Sequence, residues 1–471
     1  MTSIKVNNPF DQSLIQELPE TSEREAMEAM DKAFELSTNR QKWLPAYERV
    51  EILERVVDIM SAQVEELTQL AASEGGKPYM DSKVEVLRAI NGVKLAIEHI
   101  PAIKGEQIPM GHTASSANRL AFTQREPIGP VVSVSAFNHP LNLIVHQTIP
   151  ALAVGCPVVI KPAALTPLSC YRLVEILYEA GLPKDWCKVV LPARDVSQNL
   201  VCDPRTNFFS FIGSAKVGWM LQSKLSPGTR SALEHGGAAP VIVDHSMFSE
   251  TNTAKLDEMV SSLTKGGFYH AGQVCVSVQR VYAPAGNSAD LAERIASQAK
   301  VLKVGSQMDH DTEVGPLITP AEVDRVESWV SSAVEKGARL LCGGNKISDT
   351  CYEPTVLLDP PEDCEVSKME IFGPVVCVYS YTDKDDAINR SNGLPFAFQA
   401  AVFTQDLDDA LDMSQRLNAT AVMVNDHTAF RVDWMPFGGR DASGIGMGGI
   451  PYSMHEMTRD KMIVIKSSVL L

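Results

Sequence analysis

The spacing of apolar positions changes character along this chain. Between Ser22 and about His99 they recur every three or four residues, which predicts a run of amphipathic helices. The first of these, EREAMEAMDKAFELS, opens on Ser22 with Glu25 three residues on, the pattern of a capping box. Residues 113–127 (TASSANRLAFTQREP) alternate apolar and polar between turn-forming residues and predict a hairpin. From Pro130 the pattern becomes short continuous apolar runs separated by helical stretches. PVVSVSAF is followed by HPLNLIVHQTIPALAVG, CPVVIKP by LSCYRLVEILYEAG, and KVVLP and NFFSFIGS lead to a helix near Ala215. Apolar strands alternating with helices are the pattern of βαβ units in a parallel sheet buried on both faces. A second such series starts at APVIVD and runs to about SGIG. The expected fold class is α/β, with two parallel-sheet domains meeting near Gly236 and Gly237.

Composition narrows the functional classes. A chain of 471 residues exceeds one ordinary core, and 45% hydrophobic with 21% charged residues describes a globular protein. The net charge of −16 argues against nucleic-acid partners and polybasic membrane attachment. Prolines, Asn138, His139 and His146 break the longest apolar stretch, and the N-terminal residues lack an apolar targeting core, so a cytoplasmic location is expected. Nine cysteines form no CxxC pair, the pattern of reduced thiols, and the ten histidines show no metal-ligand spacing; no metal is expected.

One thiol has a distinctive setting. In FYHAGQVCVS, Cys275 follows Gly272 and Gln273 on a turn between apolar segments, which suits either a small core hydrophobe or a nucleophile presented to substrate. Four other fragments place polar residues at strand ends or glycine turns. These are Asn138 in AFNHPLN, Lys161 in VVIKPAALTP, Gly213 and Ser214 in FFSFIGSAKVG, and Glu234 in ALEHGGAAPVIV. Open α/β sheets bind ligands at such positions. Each residue alone also has an ordinary reading as a cap, a turn or a solvated charge.

Taken in order, these fragments, followed by MEIFGPVV (369–376) and MPFGG (435–439), resemble the aldehyde dehydrogenase superfamily over nearly the whole chain. The resemblance implies two Rossmann-like domains, for cofactor and catalysis, plus a small β oligomerisation arm. It divides the chain into a first cofactor-domain part (1–110), an oligomerisation hairpin (111–127), the Rossmann-like part (128–236), the catalytic domain (237–445) and a C-terminal segment with an oligomerisation strand (446–471). It implies that Cys275 attacks the aldehyde carbon and that Asn138 donates to the resulting oxyanion. Glu234 then activates water to hydrolyse the thioester. A non-catalytic protein retaining the fold and a cofactor-independent thiol esterase are the alternatives. Glu234 and Cys275 stand 41 residues apart, more than the family pattern, which predicts a surface insertion within HSMFSETNTAKLDE.

The same resemblance assigns NAD or NADP as cofactor. Lys161 would meet the adenosine ribose, Gly213 and Ser214 the pyrophosphate, Glu370 the nicotinamide ribose, with His235 and Phe372 near the nicotinamide; Phe137, a further cofactor contact, would also line the aldehyde tunnel beside Asn138. Ala164 stands where NAD-preferring members often carry a carboxylate, which tilts the expectation toward NADP. Val274, Val276 and Phe437 would line a small-aldehyde tunnel with Arg431, whose guanidinium either grips an anionic tail or pairs with Asp433 or Glu456 to order the loop. The tail strand MIVIKSSVLL would be an exposed sheet edge, which predicts a homodimer or homotetramer.

Overall fold

The computed structural model describes residues 3–249 and 253–470. Two parallel sheets dominate it, as the two series of apolar runs anticipate. In the first sheet the strands lie in the order Gly444–Ile445, Arg230–Glu234, Phe208–Ile212, Val131–Val134, Val158–Lys161 and Cys187–Val189. All neighbours run parallel except Gly444–Ile445, which is antiparallel to the strand ending in Glu234. The sequence division puts Gly444 and Ile445 at the end of the catalytic stretch. They instead close an edge of the first sheet that would otherwise stay open.

The second sheet runs Arg339–Cys342, Thr355–Leu358, Val375–Tyr381, Arg280–Pro284, Pro240–Val243, Gln399–Phe403 and Ala421–Val424. Only the pair Arg339–Cys342 and Thr355–Leu358 is antiparallel. Its helices bury one large core, and those of the first sheet bury a core on each face.

The N-terminal helix Glu23–Thr38 carries both bonds of the predicted capping box. Two further helix starts are held from a distance. Helix Asn142–Val154 is buried along its whole length, so its first N–H groups have no water to turn to. Leu141 and Asn142 donate them to Glu85 at 2.9 and 3.0 Å. Likewise Leu168 and Ser169, opening helix Leu168–Glu179, donate to Glu74 at 2.7 and 2.8 Å.

The hairpin expected within 111–127 does not form there. Residues 114–116 make a single 3-10 turn and Arg119–Pro127 one long strand. That strand pairs antiparallel with Gln107–Ile108 and, over nine residues, with Thr458–Lys466. Its alternation is real, but both partners lie outside the stretch. A second hairpin, Ser3–Asn7 with Leu14–Pro19, was not foreseen from the sequence. The polar stretch 245–258 forms a short 3-10 turn, His245–Phe248, and the start of helix Thr253–Phe268; residues 250–252 lie outside the described residues. Among the described residues no helix is long and apolar enough to cross a membrane, and no His, Cys, Asp and Glu cluster is suited to a metal ion.

Candidate active site

Helix Thr253–Phe268 ends in a turn that no ordinary backbone path would make. His270, Ala271 and Gly272 have φ of 49°, 53° and 71°, three left-handed residues in succession. At Gly272 a side chain has no room: a Cβ would lie 2.0 Å from the Gly373 carbonyl oxygen. Strain of this kind costs about 1–3 kcal/mol per residue and persists where the surroundings over-determine it. Gln273 is fixed just beyond, donating to Pro316 O at 3.2 Å and accepting from Ile318 N at 2.9 Å. The turn delivers Cys275 to the wall of a cavity of about 510 Å³. Seven of the other cysteines are buried, Cys202 is half-buried, and none is paired.

The cavity gathers most of the sequence candidates. Asn138, Glu234 and Cys275 line it, together with Phe137, Gly213, Ser214, His235, Glu370, Phe372, Val274, Val276, Arg431 and Phe437. Lys161 and Ala164 do not; they lie at the end of strand Val158–Lys161, beside the cavity. The gathering follows from topology. The first sheet turns outward in both directions from strand Val131–Val134, and Asn138 and Gly213 follow the ends of the two strands at that switch.

The Cys275 thiol stands 4.0 Å from Glu234 Oε1. Burial and the Glu234 charge hold its pKa well above the usual thiol range, so it is protonated until a base accepts the proton. Burial also raises Glu234, to about 7, against the pull of Arg431. A carboxyl poised there exchanges protons readily at neutral pH. Asn138 donates one amide hydrogen to Gln273 O at 2.9 Å, which locks its side chain beside the thiol turn and leaves the second hydrogen available.

Arg431 makes neither of the ion pairs that the sequence suggested. Asp433 accepts from Arg88 in two bonds, at 2.7 and 3.2 Å, and bonds His146 Nε2 at 2.8 Å. Arg431 therefore does not pair with Asp433, and among the described residues it has no carboxylate at ion-pair distance. Its Nη2 reaches His146 Nδ1 at 3.4 Å, its carbon lies 3.5 Å from the Phe437 ring centre, and its Nε is buried without a partner. Sequence reasoning missed Arg88 and the role of His146; it named Asp433, but as a partner of Arg431, and the i to i+2 spacing points to the wrong pair.

Ser214, on the cavity wall, precedes helix Ala215–Gln222 and makes no side-chain cap bond to it. Glu370 is pushed by burial to about 8, and its Oε1 is buried without a protein partner. Gly236 makes room for it, since a Cβ there would lie 1.5 Å from Glu370 Oε1. His235 bonds Gly213 O through Nδ1 at 2.8 Å and so braces the turn before Ser214. A carboxyl with one oxygen left without a partner, a helix start without a side-chain cap and aromatic Phe137 and Phe372 in edge contact at 5.8 Å fit a dinucleotide.

The profile of the aldehyde dehydrogenase family matches residues 1–463. The chain belongs to that family. It is accordingly an enzyme that oxidises aldehydes with NAD(P), which sets aside the scaffold and esterase alternatives. Among relatives, 3-sulfolactaldehyde dehydrogenase of Priestia aryabhattai is 37% identical over 421 residues, 89% of this chain and 86% of that one. Aldehyde dehydrogenase 21 of Physcomitrella patens, solved with the reaction product succinate, superposes with a TM-score of 0.94 at 35% identity, covering 100% of this chain and 96% of that chain. Glyceraldehyde-3-phosphate dehydrogenase of Methanocaldococcus jannaschii, solved with NADP, gives 0.91 at 34% identity over 98% of this chain and 99% of that chain.

Proposed function

We propose that this enzyme oxidises a small aldehyde bearing an anionic tail to its carboxylic acid, with NADP favoured over NAD. The observation that carries the substrate class is Arg431, a cavity guanidinium with no carboxylate partner, on the same wall as Cys275 and Phe437. A buried charge of that kind is costly unless a ligand compensates it. The Priestia relative is named for a sulfonated aldehyde and the Physcomitrella neighbour holds a dicarboxylate product, which supports the same reading.

In this reading Cys275 releases its proton to solvent through the cavity, and its sulfur, 4.0 Å from Glu234, adds to the aldehyde carbon. The free Asn138 amide hydrogen bonds the resulting oxyanion, a donor worth about 3–4 kcal/mol. NAD(P), when bound, accepts the hydride that leaves this carbon. Cys275 then carries a thioester, and Glu234 takes a proton from the water that hydrolyses it. Phe437 and Val276, both buried, hold bulk water away from the thiol.

For the cofactor, Gly213, Ser214, Glu370, Phe137 and Phe372 hold its pyrophosphate and nicotinamide half, and Lys161 the adenosine ribose. Arg194 lies close enough for its charge to lower the pKa of Lys161, second to burial. Lys161 with Arg194 near it suits a 2′-phosphate, and the exposed Ala164 puts no carboxylate three residues beyond Lys161. The domains follow the boundaries drawn from sequence, with 444–445 joined to the cofactor domain. The strand Thr458–Lys466 shows Met462, Val464 and Ile465 to solvent, which favours a homodimer or homotetramer; a cytoplasmic location accords with the cysteine usage. A panel of neutral and anionic aldehydes with each cofactor, followed by the absorbance of reduced cofactor, tests the assignment. A preference for neutral aldehydes would refute it.

A further inference from the structure

A second polar system meets the cavity from the side of the N-terminal helices. Lys77 is wholly buried, yet its ammonium is ion-paired with Glu85 and lies 2.6 Å from His139 Nδ1. The remaining oxygen of Glu85 is occupied by the N–H groups of Leu141 and Asn142. His139 adjoins Asn138 in the chain and lines the cavity that contains Cys275 and Arg431. Its ring lies near those of Tyr269 and His270, with centres 6.3 Å away in each case.

The protonation state follows from valence. An ammonium has three donors and no acceptor, so the Nδ1 that faces Lys77 must carry a lone pair. Burial, and next the Lys77 charge, keep the imidazole neutral by holding its pKa well below the ordinary value. A neutral ring with a bare Nδ1 has its proton on Nε2. Among the described residues no acceptor takes that proton, and the side chain keeps 14% of its surface open. We propose that His139 is a specificity-determining residue, presenting a fixed Nε2–H donor to a hydroxyl on the substrate's carbon chain, with Lys77 and Glu85 as the positioning residues that fix its tautomer. A neutral donor separates oxygen from methyl, whereas Arg431 separates anion from neutral, so the two residues read different features of one aldehyde. This inference rests on the reading that the cavity holds an aldehyde beside Cys275.

The test uses isosteric substrates with the full-length enzyme and saturating NADP. For wild type, H139F, H139Q and K77M, kcat/KM is measured on 2-hydroxypropanal and on 2-methylpropanal, and their ratio is taken. In H139F the ratio should fall about tenfold, the scale of one substrate hydrogen bond. H139Q, which keeps an N–H donor, should hold it within about threefold, and K77M, which frees the tautomer, should lower it by an intermediate factor. Should H139F fail to fold, H139L removes the donor with a smaller side chain and is read the same way. An unchanged ratio in the variant without a donor overturns the assignment. So does a ratio that falls in R431A and not in H139F. A wild type that turns over neither aldehyde, nor succinate semialdehyde, fails the underlying functional reading, whereas turnover with an unaltered ratio fails only the role given to His139.

Discussion

Glu74 and Glu234 are both raised by burial to about 7, yet they sit in regions with opposite habits. Glu74, like Glu85, lies beneath the helices of the first sheet and accepts two backbone N–H groups, which ties one helix start to another helix. Glu234, like Glu370, lines the cavity; its Oε1 lies 4.0 Å from the Cys275 thiol, and the Oε1 of Glu370 has no partner among the described residues. A perturbed pKa therefore does not separate the carboxyls of the frame from those on the cavity wall in this molecule. The number of bonds already made does. In Glu74 and Glu85 both carboxyl oxygens accept donors of the frame, whereas Glu370 keeps one oxygen buried without a partner on the cavity wall.

The sharpest way to break this comparison is at the thiol. C275S should cut turnover by more than about a thousandfold while leaving the unfolding midpoint unchanged, measured by steady-state rate and thermal melt. C202S, the other partly exposed thiol, should alter neither. Next comes E234Q, expected to release one equivalent of reduced cofactor and then slow by about 10²–10⁴-fold, as a stopped-flow burst would reveal. Steady turnover without a burst would move the base elsewhere. R431A should cost about 2–5 kcal/mol in kcat/KM on succinate semialdehyde, with a much smaller loss on propanal; equal losses would remove the anionic tail from the reading.

The same isosteric change made in the frame should do the reverse of E234Q. E74Q puts an amide against two backbone donors and should lower stability by about 1–3 kcal/mol, seen as a drop in melting temperature, while folded enzyme keeps its rate. The smallest effect concerns pH. Only ionised Glu234 accepts a proton from water, so thioester hydrolysis should accelerate as pH rises through about 7 and level off above it. The Arg431 charge opposes the upward shift, so R431A should move that midpoint to higher pH, readable from single-turnover profiles.

What sequence made legible was local or carried by motif. Apolar runs located the parallel strands, and Glu234, Cys275 and Asn138 meet in space despite the 41-residue separation of the first two. What it missed depends on pairings that no local spacing encodes. Arg88 and Asp433 are 345 positions apart and Lys77 and His139 62 apart, so only packing makes them partners. The strand Arg119–Pro127 was recognisable by its alternation, but its main partner lies at the far end of the chain. Arg194 reaches Lys161 because strand Val158–Lys161 pairs with Cys187–Val189, which leads into helix Arg194–Cys202.

The left-handed turn before Cys275 does more than aim a sulfur atom. Gly272 is pressed against the carbonyl of Gly373, three residues beyond Glu370, with no side chain as a cushion between the two backbones. The loop bearing Cys275 and the loop bearing Glu370 thus rest directly on one another, and any side chain at position 272 would wedge them apart, moving the thiol away from the Glu370 side of the cavity.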